Sequence, residues 1–238
     1  MKADAIIFDK DGTLIDFDGF WVPVSVNALN TVLDKVGVSK VLVNEILELF
    51  GVHNGVTSIE GVLCKGTYRQ MSEIVYNVVK GNGYVGTVGE IEGLVSEAYN
   101  ESTEKGKIEP TCKELAATLK KLKSEGKRLA VVTTDNPDIT RKCLNALGIE
   151  GLFDKIYTDD GDIPTKPDPF CVYDFCKCFG IEKEDVVMVG DTMTDVKFAK
   201  NAGIYMIGLA KSEENKNILL SGADTVIDSL SNLADIIG

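Results

Sequence analysis

The fold of this chain is decided by the stretch Ala5-Ile6-Ile7-Phe8-Asp9-Lys10-Asp11-Gly12-Thr13. Four apolar residues in a row, without polar alternation, are typical of a strand that is buried on both faces of a parallel sheet. Ligands bind beyond the carboxyl ends of such strands, and here Asp9 and Asp11 follow at once, with Gly12 allowing a sharp turn. The stretch therefore predicts a nucleophile, an acid and a metal site, although Asp-Gly pairs also form ordinary polar turns.

More apolar runs of the same kind alternate with helix-length amphipathic stretches later in the chain. The runs are residues 129–132, 186–189 and 204–207, and the helical stretches are residues 112–125, 138–147, 169–179 and 194–202. Glycines follow these helical stretches, where left-handed C-terminal caps are expected, at positions 126, 148, 180 and 203. The repeated order of strand and helix predicts an α/β fold with a doubly wound parallel sheet.

The region from residue 17 to residue 108 interrupts this alternation. Its patterns predict helices over residues 24–36, 40–50, 69–80 and 90–104, and a turn or loop over the glycine-rich residues 81–89. We therefore divide the chain into a core, residues 1–16 and 109–238, and a helical insert, residues 17–108, placed directly after the first strand.

The composition limits the classes of partner. The chain has 238 residues, 44% of them hydrophobic, and a formal net charge of −12, which argues against the clustered basic face that nucleic-acid binding requires. No apolar run is long enough for a signal peptide or a membrane span, and the spacing of the six cysteines matches no zinc or redox motif. We expect a cytoplasmic protein with reduced thiols that binds neither nucleic acid nor membrane. Monomer and homodimer both remain open.

Carboxylates also follow the run at residues 186–189, in Gly190-Asp191-Thr192-Met193-Thr194-Asp195. If this strand neighbours the first one, Asp191 comes close to Asp9. Clustered carboxylates are costly unless a cation neutralises them, and hard oxygen ligands suit Mg²⁺. Thr194 is expected to cap the helix that follows.

Groups suited to a phosphate follow two further segments. Thr133-Thr134-Asp135-Asn136 ends the run at residues 129–132, and a hydroxyl with backbone amides at a strand–helix junction can hold phosphate oxygens. Lys166, in Lys166-Pro167-Asp168-Pro169, stands just ahead of a helix and can act as a point charge on a phosphate or a carboxylate. Most lysines are solvated surface groups, so Lys166 is a candidate only together with the other segments.

In this order and spacing, the four segments resemble the haloacid dehalogenase superfamily over residues 1–16 and about 109–238. The insert looks like the C1-type helical cap of phosphoglycolate phosphatases and β-phosphoglucomutases, which covers the site and reads the leaving group. In such a cap Lys65 or Arg69 would be candidates for binding a substrate carboxylate or a second phosphate.

The resemblance implies a role for each candidate residue. Asp9 would be the nucleophile and Asp11 the general acid–base. Thr133, with Thr134 beside it, would bind the phosphoryl group, and Lys166 would stabilise its charge. The implied cofactor is Mg²⁺, and its implied ligands are Asp9, the backbone carbonyl of Asp11, and Asp191, with Asp195 orienting the metal or its waters.

Two positions depart from the family pattern. Where the family often has an apolar residue after the nucleophile, this chain has Lys10, whose side chain should point away from Asp9 and pair with a nearby acid or reach the domain edge. Where the family often has asparagine after Thr133, this chain has Thr134. The substitution is compatible with phosphate binding at this segment, but the family pattern gives no role to the side chain of Thr134.

Asp11 also separates this chain from some relatives. Dehalogenases lack the second aspartate, and P-type pumps have threonine there. Its presence favours phosphate-ester hydrolysis or phosphoryl transfer between sugar hydroxyls. The first hypothesis is therefore a Mg²⁺-dependent phosphatase acting on a small phosphorylated metabolite, with phosphoglycolate as the family-based choice. The alternatives are β-phosphoglucomutase-like phosphoryl transfer and a non-catalytic binding protein on the same fold.

Overall fold

The computed structural model describes residues 2–237 of the chain. In chain order its strands are β1 (Ala5–Phe8), β2 (Val52–His53), β3 (Val56–Thr57), β4 (Arg128–Val132), β5 (Lys155–Tyr157), β6 (Val186–Gly190), β7 (Tyr205–Leu209) and β8 (Thr225–Ile227). Its α-helices are α1 (Phe17–Lys35), α2 (Val43–Leu49), α3 (Val62–Lys65), α4 (Tyr68–Gly81), α5 (Val88–Glu104), α6 (Leu115–Ser124), α7 (Pro137–Ala146), α8 (Phe170–Phe179), α9 (Met193–Ala202), α10 (Glu213–Leu219) and α11 (Leu233–Ile237).

A six-stranded sheet of order β5-β4-β1-β6-β7-β8 forms the centre of the fold, and all of its neighbouring strands pair in parallel. The predicted doubly wound α/β fold is therefore confirmed. Each residue of β1 is fully buried, which explains why its sequence is apolar without alternation. One face of the sheet packs on leucines of α6 and α11, so burial of apolar side chains holds these helices to the sheet.

The two edge strands of the sheet, β5 and β8, were not predicted from the sequence. β5 and β8 have three residues each and are mostly half-buried, so neither carries the long apolar run that identifies a central strand. The predicted run at 204–207 is the strand β7, which begins one residue later and extends to Leu209.

The helices α6 to α9 agree with the predicted stretches to within a few residues, whereas α10 and α11 match no predicted stretch. Gly180 and Gly203 adopt the left-handed conformation at the ends of α8 and α9, as predicted. The expected cap of α9 was wrong. Thr192, not Thr194, is the N-cap, and its side chain forms a reciprocal capping box with Asp195 three residues later.

Residues 18–107 form a compact unit separate from the residues up to 17 and from 108 onward. Helices predominate in this unit, but β2 and β3 form an antiparallel hairpin that the sequence did not predict. The predicted start of α1 at residue 24 was also wrong, because the helix begins at Phe17 and continues through Pro23 at the loss of one backbone hydrogen bond. The assignment of the two units as catalytic core and cap stays a prediction at this point.

Among the described residues, no helix is both long and apolar enough to cross a membrane. The expected cytoplasmic location stays a prediction.

Candidate active site

The candidate site begins where the three central strands of the sheet end. Phe8 of β1 is level with Val131 of β4 on one side and with Val189 of β6 on the other. Because the three strands are parallel, the residues that follow them meet at the same edge of the sheet. The amide of Asp9 donates to the carbonyl of Val189 at 2.9 Å, which fixes the start of this segment.

The loop after β1 is a tight turn that closes on itself. The carbonyl of Lys10 accepts from the amides of Leu14 and Ile15 at 2.9 and 3.0 Å, and the amide of Gly12 donates to the carbonyl of Ile15 at 2.9 Å. Gly12 has a φ of +80°, and a Cβ at this position would overlap the carboxylate of Asp191. Glycine is thus required both for the backbone conformation and for the close approach of Asp191.

We expect Gly12→Ala to lower kcat/KM at least about 100-fold, since a misplacement of about 1 Å at a reacting centre has an effect of that size. The added methyl group would push the Asp191 carboxylate and the turn apart. The matched control is Gly126→Ala, which has the same left-handed strain at a φ of +83° but meets no atom within 4 Å. Steady-state kinetics on both variants tests this: equal activity of the two would show that contact with Asp191 does not matter.

Lys166 supplies the positive charge at the centre of the site. Its Nζ forms ion pairs with Asp9 and, at 2.7 Å, with Asp195, and all three side chains are buried. The second oxygen of Asp195 accepts from the amide and the hydroxyl of Thr192 at 3.0 and 2.7 Å. The capping box of α9 therefore holds Asp195, and Asp195 holds Lys166 against Asp9.

Three carboxylates come together around this lysine. Oxygen atoms of Asp9, Asp191 and Asp195 lie within 4.8 Å of one another, and Thr13 Oγ1 donates to Asp191 at 3.1 Å. Burial raises the pKa of Asp9 to about 7; Lys166 opposes this shift, while Asp195 and Asp11 add to it. Burial, and after it the charges of Asp9 and Asp195, also raise the pKa of Asp191 well above its usual range.

One lysine therefore leaves this cluster short of positive charge. The donor atoms are all hard oxygens, and a bound divalent cation would remove the cost of burying the carboxylates together. The residues present thus fit Mg²⁺. The close set consists of the side chains of Asp9, Asp191 and Asp195, whereas the carboxyl group of Asp11 turns to a different partner.

That partner is Lys10, whose ammonium group lies between the carboxylates of Asp11 and Asp135. Its Nζ is 2.6 Å from Asp11 Oδ2 and 2.9 Å from Asp135 Oδ2, and its side chain is only 1% exposed. Loss of solvent raises the pKa of Asp11, and Lys10 partly offsets the shift. For Lys10 itself, burial disfavours the charged form, but Asp11 and Asp135 outweigh burial and raise its pKa. The expectation that Lys10 pairs with a nearby acid is confirmed.

The segment after β4 supplies a buried hydroxyl and an exposed one. Thr133 is buried, its amide donates to the carbonyl of Tyr157 at 3.1 Å, and its Oγ1 accepts from the amide of Asp135 at 3.2 Å. Thr134 is exposed, so only Thr133 belongs to the buried part of the segment. In the other unit, Lys65 pairs with Glu60, and Arg69 lies beside acidic side chains of its own unit.

Sequence reasoning missed three contributors to the site. The bond from Thr13 to Asp191, the contact of Asp135 with Lys10 and the bond from Asp195 to Lys166 each join segments far apart in the chain. The sequence contains one local signal that bears on these contacts. The spacing of Thr192 and Asp195 is typical of a capping box, which holds Asp195 in place.

The chain belongs to the family of haloacid dehalogenase-like hydrolases, whose model matches residues 3–203. The resemblance inferred from the four segments is therefore confirmed, and the protein is a hydrolase of this family.

Individual relatives are similar over most or half of the chain. A phosphoglycolate phosphatase of Psychrobacter arcticus is 28% identical over 210 residues, 88% of this chain and 84% of the relative. The pyrophosphatase PpaX of Halalkalibacterium halodurans is 33% identical over 123 residues, 51% of this chain and 57% of the relative. A crystal structure described as a predicted phosphoglycolate phosphatase from Haemophilus somnus 129pt has a TM-score of 0.71 at 21% identity and covers 100% of this chain and 99% of its own. That last likeness concerns the fold alone.

Proposed function

We propose that this protein is a Mg²⁺-dependent phosphatase that hydrolyses a small phosphomonoester through an aspartyl-phosphate on Asp9. The observation that carries the proposal is the group of Asp9, Asp191 and Asp195 close to Lys166, in which Asp191 is half-buried and the other three side chains are buried. Asp9 and Asp191 follow the carboxyl ends of the adjacent strands β1 and β6. A buried carboxylate beside a fixed ammonium group, with further acids that can hold a cation, is an arrangement suited to attack on an anionic phosphoryl group.

In the first step a carboxylate oxygen of Asp9 attacks phosphorus, and the bond from phosphorus to the ester oxygen breaks. Asp11 donates its proton to the leaving oxygen, so that an alcohol and not an alkoxide departs. Lys166 and Thr133 bind the equatorial oxygens, on which negative charge develops.

In the second step water attacks phosphorus of the aspartyl-phosphate. Asp11, now ionised, takes a proton from the water, and the bond from phosphorus to Asp9 breaks. Inorganic phosphate leaves, and both carboxyl groups return to their starting protonation states. The hydroxyl of Thr13 and the amide and hydroxyl of Thr192 hold Asp191 and Asp195 in place throughout.

Asp9, Asp191 and the backbone carbonyl of Asp11 would hold Mg²⁺, with Asp195 supporting the site. When bound, the cation supplies charge neutralisation for the carboxylates and for the phosphoryl oxygens.

The unit of residues 18–107 serves in this proposal as the cap that selects the leaving group. The similarity to phosphoglycolate phosphatases supports phosphoglycolate as the first substrate to test, and pyrophosphate follows from the similarity to PpaX. We further propose action on a small metabolite in the cytoplasm, without nucleic acid or membrane, by a monomer or homodimer.

The experiment is phosphate release from phosphoglycolate, pyrophosphate, a hexose 1-phosphate and p-nitrophenyl phosphate, each with Mg²⁺ and with chelator. We expect phosphate release from at least one monoester in the presence of Mg²⁺, and no release from it when chelator is added. Asp235→Asn, at an acid whose side chain is 80% exposed on α11, serves as a control that keeps full activity. Conversion of the hexose 1-phosphate to its isomer, without phosphate release, would instead support the mutase alternative. No reaction and no phosphorylated enzyme with any compound would contradict both.

A further inference from the structure

Lys10 is a buried cation next to the reacting groups, yet no step of the proposed reaction uses it. A buried ammonium group is costly unless acids neutralise it, and removing one member of such a group leaves an uncompensated charge. Here the two neutralising acids are Asp11 and Asp135, at 2.6 and 2.9 Å. The three groups belong to two separate loops, the one after β1 and the one after β4.

Asp135 is itself fixed by its surroundings. Its amide donates to Thr133 Oγ1 at 3.2 Å, and its carbonyl accepts from the amide of Asp159 at 2.8 Å, which ties it to the segment after β5. The fixed backbone of Asp135 thus anchors its carboxylate on the same loop that carries Thr133. Lys10 forms ion pairs with both carboxylates and so links Asp135 to Asp11.

The bonds of the turn after β1 fix the backbone around Asp11, but they do not fix its side-chain torsions. Its side chain is 30% exposed, and its carboxylate forms an ion pair with Lys10. An aspartate side chain in a turn can rotate about two torsions, and a general acid must stay within hydrogen-bond reach of the leaving oxygen. A fixed cation at Oδ2 restricts that rotation.

We propose that Lys10 and Asp135 form a positioning pair that holds the Asp11 carboxyl group in place for proton transfer, a role that rests on the proposed phosphatase function. Lys10 thereby couples the acid–base residue to the loop that binds the phosphoryl group. Lys166 forms an ion pair with Asp9, and Lys10 forms one with Asp11. Each of the two reacting carboxylates therefore has its own buried lysine.

The pair acts on the leaving group, and this gives it a distinctive kinetic signature. An alkoxide needs a proton as it departs, whereas p-nitrophenolate is stable enough to leave without one. The ratio of kcat/KM for phosphoglycolate to kcat/KM for p-nitrophenyl phosphate therefore reports on the general acid. It reports on the first step only, because kcat/KM does not depend on the later attack of water.

The test measures this ratio in Lys10→Met, in Asp135→Asn and in the double variant. Lys10→Met keeps the length of the side chain without its charge, and we expect the ratio to fall by about 100-fold, the usual contribution of a general acid. Asp135→Asn keeps the shape of the anchor, and we expect a fall of about 10-fold in the same direction. The double variant should fall no further than Lys10→Met, since the two residues act as a unit.

Lys123→Met is the matched control, because Lys123 forms a 2.6 Å ion pair with Asp154 elsewhere on the core. Its ratio should equal that of the wild type. If Lys10→Met does not fold, Asp135→Asn carries the test alone. An equal loss with both substrates, or no loss, would overturn the positioning role while leaving the phosphatase proposal standing. If the wild type hydrolyses the hexose 1-phosphate and not phosphoglycolate, the hexose 1-phosphate takes its place in the ratio. A wild-type protein that hydrolyses none of the tested monoesters would overturn both.

Discussion

Asp9→Asn is expected to lower turnover by at least about 10³-fold while the protein stays folded, because removal of a nucleophile costs at least that much in comparable enzymes. The amide has the same shape as the carboxylate but cannot attack phosphorus. The loss should appear in kcat with every substrate, including p-nitrophenyl phosphate, since the missing group is needed whatever the leaving group.

The stability of this variant provides a second, independent readout. Asp9 lies within 4.8 Å of Asp191 and Asp195, so neutralising it removes repulsion between buried like charges. Lys166 keeps Asp195 as a partner. We therefore expect the melting temperature of the metal-free protein to stay the same or to rise, as is common when a functional charge cluster is relieved.

Kinetics and thermal unfolding of Asp9→Asn, beside the surface control Asp235→Asn, check this expectation. Loss of activity with a raised or unchanged melting temperature agrees with a catalytic role. Retained activity would contradict the assignment of Asp9 as nucleophile. A large fall in the melting temperature would contradict the view that the acids repel one another.

Lys166→Met is expected to damage both activity and stability. The lysine side chain is 4% exposed, and those of Asp9 and Asp195 are 9% and 0% exposed, so the substitution leaves two buried carboxylates without a counter-charge. Breaking a buried pair in this way costs about 3–5 kcal/mol of unfolding free energy. Loss of a fixed charge at the phosphoryl oxygens lowers kcat by about 10²–10³-fold.

The comparison is with Lys123→Met, whose acid partner Asp154 retains Arg128 at 2.7 Å. Because that partner keeps a cation and Lys123 is partly exposed, we expect a loss of about 1 kcal/mol or less there. Denaturant unfolding of the metal-free proteins measures both values. Similar small losses in the two variants would show that Lys166 does not neutralise the cluster.

The central strands and the grouping of the site were predictable because they depend on local signals. Apolar runs buried on both faces identified β1, β4 and β6, and the parallel order brought Asp9 and Asp191 together as expected. β5 and β8 were not predictable, because a half-buried edge strand of three residues has no distinct pattern.

The connections between side chains were harder to foresee than their grouping. The sequence places Lys10 after the nucleophile, but it does not say which acids surround its ammonium group. Asp135 is more than a hundred positions away, and its contact with Lys10 depends on the pairing of β1 with β4. Likewise, the helix cap was assigned to Thr194 because a threonine stood near the helix start. The reciprocal bonds of Thr192 and Asp195 decide that position instead.

The central claim is that a phosphoryl group passes through Asp9, and Asp11→Asn tests it most directly. With p-nitrophenyl phosphate the first step needs no acid, whereas the second step needs Asp11 as base, so this variant should accumulate aspartyl-phosphate. The measurement is peptide mass after acid quenching, with Mg²⁺ and with chelator. We expect one phosphoryl group on the peptide that contains Asp9, only with Mg²⁺, and none in the variant that also carries Asp9→Asn. An unphosphorylated Asp9 under conditions in which the wild type turns over would contradict the mechanism.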